Sequence, residues 1–458
     1  MSVHNSSRHG TRRARPLQWL VPLICGLLVA STASTAIAQL TAEPPQSWLQ
    51  KKLLPANGKE GDRFGTTVAI DALWSVVGAP GTSLSSPMRA GAAYIFDNHT
   101  GQELFQLTPS DLADGDEFGT AVASDTLLTI AGSPRHDRVA TNAGAAYVFD
   151  PLTGHQIHKL VAGDAAMDDE FGTSVGISIQ NSTAIVGAPF DDHMAGVDAG
   201  SAYLFDTGNG SQQFKLTASD AGIGHEFGHS TAINATTAIV GAPLADAPIA
   251  VGSGSAYLFD ASTGMEQFKL SASDAAAFDQ FGWSVASDGN YAIVGAPGKS
   301  GSALFAGAAY VYDVTTGQEL FKLTASDATA VSLFGWSVDI SGGMAVIGAR
   351  LADNPGLGAT GAAYIFDMAT GRELHKLRAA DAAAVDSFGA SVSISTFFGP
   401  PEILVGAPGN NDNEANSGSA YQFRPLPMFV AVPEPSSLLL AGMALAGCCW
   451  LGRRRKDG

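Results

Sequence analysis

Phe281-Gly-Trp-Ser-Val-Ala-Ser, Tyr291-Ala-Ile-Val-Gly-Ala-Pro, Gly307-Ala-Ala-Tyr-Val-Tyr-Asp and Gln318-Glu-Leu-Phe-Lys-Leu-Thr follow one another in a single short stretch. Each segment is rich in β-branched and aromatic residues and is bounded by Gly, Asp or Pro, which reads as four short strands. Pro297 ends the second, because it has no N–H to give a ladder. No segment sustains a helical period. The unit then recurs. Phe-Gly stands at Phe64, Phe118, Phe171, Phe227, Phe281, Phe334 and Phe388, and Gly-Ala-Pro or a near copy follows each. Two copies are degenerate, Gly132-Ser133-Pro134 and Gly348-Ala349-Arg350. A fixed period of this length marks supersecondary units that stack to bury their faces. Four strands repeated seven times predict an all-β fold, a seven-bladed β-propeller of four-stranded blades.

The turn from third to fourth strand repeats closely. Asp97, Asp150, Asp206, Asp260, Asp313 and Asp367 each precede a Gly by four residues. Asp caps such a turn through backbone N–H groups and Gly supplies positive φ, so these aspartates are structural. The last repeat stops after Ala420-Tyr421-Gln422-Phe423 without a fourth strand. Ahead of the first Phe-Gly, Trp48-Leu-Gln-Lys-Lys-Leu-Leu-Pro matches the missing pattern. The N-terminal segment is therefore expected to complete the last blade and leave no open edge.

Both ends of the chain read as targeting segments. In residues 1–38, Arg8, Arg12, Arg13 and Arg15 precede an apolar stretch and the small-x-small site Ala36-Ile37-Ala38, the order of a signal peptide cut by signal peptidase. In residues 432–458, Pro433-Glu434-Pro435 precedes an apolar run that is short for a membrane span and then Arg453-Arg454-Arg455-Lys456. That order resembles the PEP-CTERM sorting tail of Gram-negative bacteria. The resemblance implies recognition by an exosortase, transient membrane attachment through the C-terminal helix, and delivery to the cell surface or extracellular matrix. The alternative for the tail is a plain membrane anchor. Residues 39–431 are left for the propeller.

Of the 25 Lys and Arg, four lie in the first segment and four in the tail; of the 43 Asp and Glu, two lie in the tail. The body therefore carries 17 basic against 41 acidic residues, a net charge of −24. Such a surface repels nucleic acid and anionic lipid. All three cysteines, Cys25, Cys448 and Cys449, fall in the terminal segments, which excludes disulfides and thiol chemistry from the propeller.

In an up-and-down blade, the second-to-third loop and the blade-to-blade loop share one face. Here both are long, and long loops on a rigid scaffold are where binding resides. Acid concentrates there. Asp111, Asp164, Asp220, Asp274, Asp327 and Asp381 stand seven residues before Phe, and Asp62, Asp116, Asp169, Asp279 and Asp386 stand two before it. Their regularity favours turn caps over ligands. Less regular loop acids, Asp191, Asp192, Asp198, Asp246, Asp353, Asp412 and Glu414, are the candidate ligand-binding residues. Calcium is the cation such carboxylates could hold.

Across residues 50–424 the Phe-Gly, Gly-Ala-Pro and Ala-Tyr-x-Phe elements resemble FG-GAP repeats, the units of the integrin α-subunit N-terminal propeller. The resemblance implies a seven-bladed propeller used for adhesion or ligand recognition on its long-loop face. Members often carry calcium in an Asp-x-Asp-x-Asp-Gly loop between first and second strands. The corresponding stretch here, Ala69-Ile70-Asp71-Ala72-Leu73, lacks that run, so those sites do not carry over and no cofactor is evident. His225-Glu226-Phe227-Gly228-His229 matches the zinc-protease pattern HExxH, but it overlies a Phe-Gly pair and has no helix to bring both histidines to one side. No catalytic residues are assigned. The expected function is a non-enzymatic surface or matrix protein that binds extracellular polysaccharide or a surface protein. The alternatives are an extracellular polysaccharide hydrolase or lyase, which would need convergent His, Arg or Tyr at the channel on a few blades, and a purely structural surface component.

Overall fold

The computed structural model describes residues 48–426, except 84–88, 247–249, 355 and 398; the expected signal peptide and sorting tail lie outside the described residues. Seven antiparallel four-stranded sheets form seven blades. Blade 5 consists of Ser284–Ser287, Tyr291–Ala296, Ala308–Asp313 and Glu319–Leu323, from the channel outward. Blade 7 takes Ser391–Ser395, Glu402–Ala407 and Ser419–Pro425 from the C-terminal end and Trp48–Leu53 from the N-terminal end. Trp48 pairs with Pro425 and Leu53 with Ala420, so the N-terminal segment closes the ring as expected. One further ribbon, Asp353–Asn354 with Gly358–Ala359, decorates blade 6.

The repeat sequence explains the geometry. Each Phe of Phe-Gly is fully buried and meets the third-strand Tyr edge-on at 5.4–5.8 Å. Such aromatic pairs add to the burial of large apolar area. The following Gly has φ between +86° and +103°. A Cβ there would strike a carbonyl oxygen at the start of the preceding blade's third strand, as at Gly172 against Ala145. The Gly of Gly-Ala-Pro is equally confined: a Cβ on Gly187 would strike the carbonyl of Gly228 in the next blade. Phe-Gly and Gly-Ala-Pro are thus the two halves of one blade-to-blade junction, in which backbones touch where only glycine fits. The innermost strand of blade 5 starts at Ser284, three residues after Phe281. The junction recurs between Phe64 and Gly418, where the ring closes.

The innermost strands line a cavity of about 290 Å³ whose walls include Val68, Ile70, Val175, Ile177, Val285 and Ile340. Asp339 is the carboxylate in that wall. It accepts hydrogen bonds from Ser393 Oγ and the Ile394 N–H of blade 7, and burial pushes it up to about 6. The Gly-Ala-Pro loops and the blade-to-blade loops open on one face of the ring, the loop face. The short turns lie on the other.

Candidate functional site

Most of the acid on the loop face builds the scaffold. In six blades the Asp seven residues before Phe accepts the buried Tyr hydroxyl at 2.7–3.0 Å and the outermost-strand Lys at 2.5–2.6 Å. The same Lys lies 4.8–5.8 Å from the centre of the Tyr ring. The recurrence expected of turn caps is therefore a Tyr–Asp–Lys triad across the blade. Burial raises the Asp111 and Asp274 carboxyls, but lysine and tyrosine hydrogen bonds outweigh it and hold both down at about 2. The Asp two before Phe does cap the loop: Asp62, Asp116, Asp169, Asp279 and Asp386 accept the N–H three residues earlier at 2.7–2.8 Å.

Beside that buried cap lies a buried position two residues past the Pro, occupied in turn by Thr82, His136, Asp191, Ala245, Lys299, Ala352 and Asn410. His136 lies 2.9 Å from Asp116, Lys299 2.8 Å from Asp279 and Asn410 3.2 Å from Asp386. Where the position is Ala, the cap is His225 or Ser332 instead of Asp. The cap is a carboxylate only where the facing residue is polar, in keeping with the cost of burying a charge against an apolar side chain. In blade 3 both are acids, and burial together with the charge of Asp191 pushes Asp169 up to about 6.

The sequence candidates fall into these roles. Asp191 is buried and takes Lys215 at 2.8 Å, together with Ser201 and Tyr203. Asp192 accepts the Asp198 N–H at 2.8 Å and Asp246 the Gly252 N–H at 2.7 Å. Asp137 and Asn411 brace their loops in the same way. Asp192, Asp246 and Asp353 thus share one repeat position, three past the Pro or its substitute. Asp353 is exposed in the blade 6 ribbon. Asp412 pairs with Lys52, and Glu414 accepts the Glu60 N–H at 2.9 Å. The calcium loop of such repeats does not fit here: the turn after Ile70 is three residues long, and Asp71 caps it through the N–H groups of Leu73 and Trp74. Among the described residues no three His, Cys, Asp or Glu side chains could hold a metal. The HExxH stretch is a turn running into a strand.

Asymmetry sits instead at the channel mouth. The residue after Phe-Gly is Thr66, Thr120, Thr173, His229, Trp283, Trp336 and Ala390 in blades 1 to 7. The rings of His229 and Trp283 are 4.6 Å apart, and those of Trp283 and Trp336 are 4.7 Å apart. Arg350 lies 3.8 Å over Trp336. All four are partly exposed, and the ring planes are tilted by 47–48°, so one row of contacting rings crosses three blades. The residue before each Phe, always at φ +50° to +58°, is Arg63, Glu117, Glu170, Glu226, Gln280, Leu333 and Ser387. The mouth is therefore acidic over blades 2–4, and Arg135 meets Glu117 at 3.3 Å. Three residues before Phe, blades 5–7 place Phe278, Val331 and Val385 at φ +64°, +64° and +67°, exposed by 64%, 45% and 69%. Exposed bulky residues in left-handed backbone are costly, and such strain gathers at functional surfaces. Row and rim overlap in blades 5 and 6. The sequence carried this signal only as departures from the repeat, which show when the seven copies are overlaid.

Comparison with known families gives two matches. The FG-GAP repeat profile matches residues 48–96, 102–149, 155–205, 211–259, 265–312, 318–366 and 372–423. The PEP-CTERM protein-sorting motif matches residues 431–456. No curated protein matches the chain. The sorting motif indicates an exported, cell-surface protein and implies processing by an exosortase.

Proposed function

The chain belongs to the FG-GAP repeat family, and from that premise we propose that it is a non-enzymatic surface module that binds extracellular polysaccharide at the loop-face mouth of its channel. The observation that carries this reading is the row His229–Trp283–Trp336. Sugar rings present C–H faces that lie against aromatic faces, while hydroxyls reach polar groups at the rim. Glu117, Glu170 and Glu226 supply acceptors on one side of the row, and the apolar rim residues exclude water on the other. Export to the cell surface, which the sorting motif indicates, supports a ligand of the extracellular space.

The test is co-sedimentation of the full-length protein with the host's extracellular polysaccharide, beside the variants Trp283→Ala and Trp336→Ala. Saturable binding that weakens about fivefold per ring removed is expected, since each aromatic contact contributes roughly 1 kcal/mol. Binding unchanged in both variants defeats the reading, and shortening of the polymer makes the enzyme alternative primary.

A further inference from the structure

Arg350 stands where the other six blades have the Pro of Gly-Ala-Pro or its near copy. It faces a cavity of about 500 Å³ that is also lined by Arg63 and Arg89. Thr66, Ser387 and Asn416 supply neutral polar groups to the same wall, and among the described residues no carboxylate lines it. Among the described residues none of these three guanidinium groups has an ion-pair partner. Four of the five other described arginines do: Arg135, Arg138, Arg378 and Arg424 lie 3.0–3.7 Å from a carboxylate. In a body with 41 acids against 17 bases, three neighbouring arginines without a partner are unusual. Arg350 Nε is buried with no hydrogen-bond partner, and burial alone lowers its pKa with no opposing charge nearby. The strained, exposed Val385 forms part of the wall.

We propose that this pocket binds an oxyanion substituent, a carboxylate or a sulfate ester, on one sugar unit of the polysaccharide, so that the ligand is an acidic glycan. The inference rests on the binding reading above and narrows it. A planar guanidinium matches both oxyanions in two-point hydrogen bonding, and a cavity of this size accommodates a monosaccharide. Arg350 belongs to the pocket and to the aromatic row at once, so a sugar on Trp336 places its neighbour beside the arginines. The glutamates of blades 2–4 lie elsewhere on the mouth and repel the same substituent, which fixes the direction of the chain.

Binding of the full-length protein is measured by calorimetry against polygalacturonate, dextran sulfate, neutral dextran and polyglutamate, at low and high salt. The variant Arg63→Gln/Arg89→Gln alters two exposed side chains, and its melting temperature reports folding. We expect polygalacturonate or dextran sulfate to bind more tightly than neutral dextran, to weaken with salt, and to lose about tenfold or more in the double variant, as charge-assisted contacts require. Which of the two binds tells carboxylate from sulfate. Neutral dextran binding equally, with the double variant unchanged but Trp283→Ala impaired, overturns the anion pocket and leaves the polysaccharide reading standing. Polyglutamate binding alone, sensitive to the double variant, assigns the pocket to an acidic protein and overturns the glycan assignment. No binding to any probe overturns both.

Discussion

Blade 1 carries the one uncharged version of the Tyr–Asp–Lys triad. Asn57 replaces the Asp and Gln106 the Lys; Tyr94 donates to Asn57 Oδ1 and Asn57 Nδ2 to Gln106 Oε1, both at 3.2 Å. Both charges are exchanged together, which keeps the tyrosine hydroxyl satisfied without leaving a lone charge beside it. Asn57→Asp alone is therefore destabilising, and Asn57→Asp with Gln106→Lys recovers the loss. A double-mutant cycle by urea unfolding should give a coupling of about 0.5 kcal/mol, the scale of a partly exposed pair; a coupling of zero would show that the triad is geometric and not electrostatic. At this scale the sequence was legible where residues repeat. Phe-Gly, Gly-Ala-Pro and the turn aspartates could be read directly because steric and capping demands recur in every blade. His229, Trp283, Trp336 and Arg350 were not, because each is an exception to its column, and a search for pattern discards exceptions.

Among the elements, the strand Trp48–Leu53 differs from its six counterparts in one respect. Those counterparts pair with the third strand through a register shift, as at Leu204/Phe205, whereas Trp48–Leu53 runs without one. A Glu or Gln three residues before the triad Lys position reaches the preceding inter-blade loop in blades 1–6, as Glu266 reaches Ser219 at 2.8 Å. In blade 7 that role falls to Gln50, only two residues before Lys52, which reaches Ala380 at 3.1 Å. The missing bulge accounts for the missing residue. Position along the chain told which segment closes the ring; the register shows only in the shorter spacing from Gln50 to Lys52, a one-residue difference read as meaningful once the pairing is known. Removing residues before Pro55 strips a six-pair ladder and bares the edge of Ser419–Pro425. We expect that truncated chain to melt at lower temperature and to associate in size-exclusion chromatography, whereas a monomer of unchanged melting temperature would show that blade 7 stands on three strands.

For the whole molecule, two populations of carboxylate oppose one another. Asp111 and Asp274, held at about 2, bind fewer protons in the folded chain than in the unfolded one between about pH 4 and pH 2. Stability they contribute is present above pH 4 and is lost as pH falls through 2. Asp169 and Asp339, raised to about 6, bind more protons when folded between about pH 4 and pH 6, so stability falls as pH rises through that window. The melting temperature should therefore peak near pH 4 to 5, decline toward neutrality and fall steeply below pH 3. Asp339→Asn should flatten the decline between about pH 4 and pH 6 and leave the acid limb in place; scanning calorimetry across pH decides, and a maximum at neutral pH would contradict the assignment. Topology adds a mechanical consequence. The third strand of blade 7 starts on the loop face and ends at Pro425 on the opposite face, between Glu402–Ala407 and Trp48–Leu53. The chain thus leaves toward its C-terminus from the side away from the aromatic mouth. Tension between a ligand held at that mouth and a hold on the C-terminal side runs along this strand and loads two ladders in shear, so the N-terminal strand that shuts the ring is also the fastening that resists the pull.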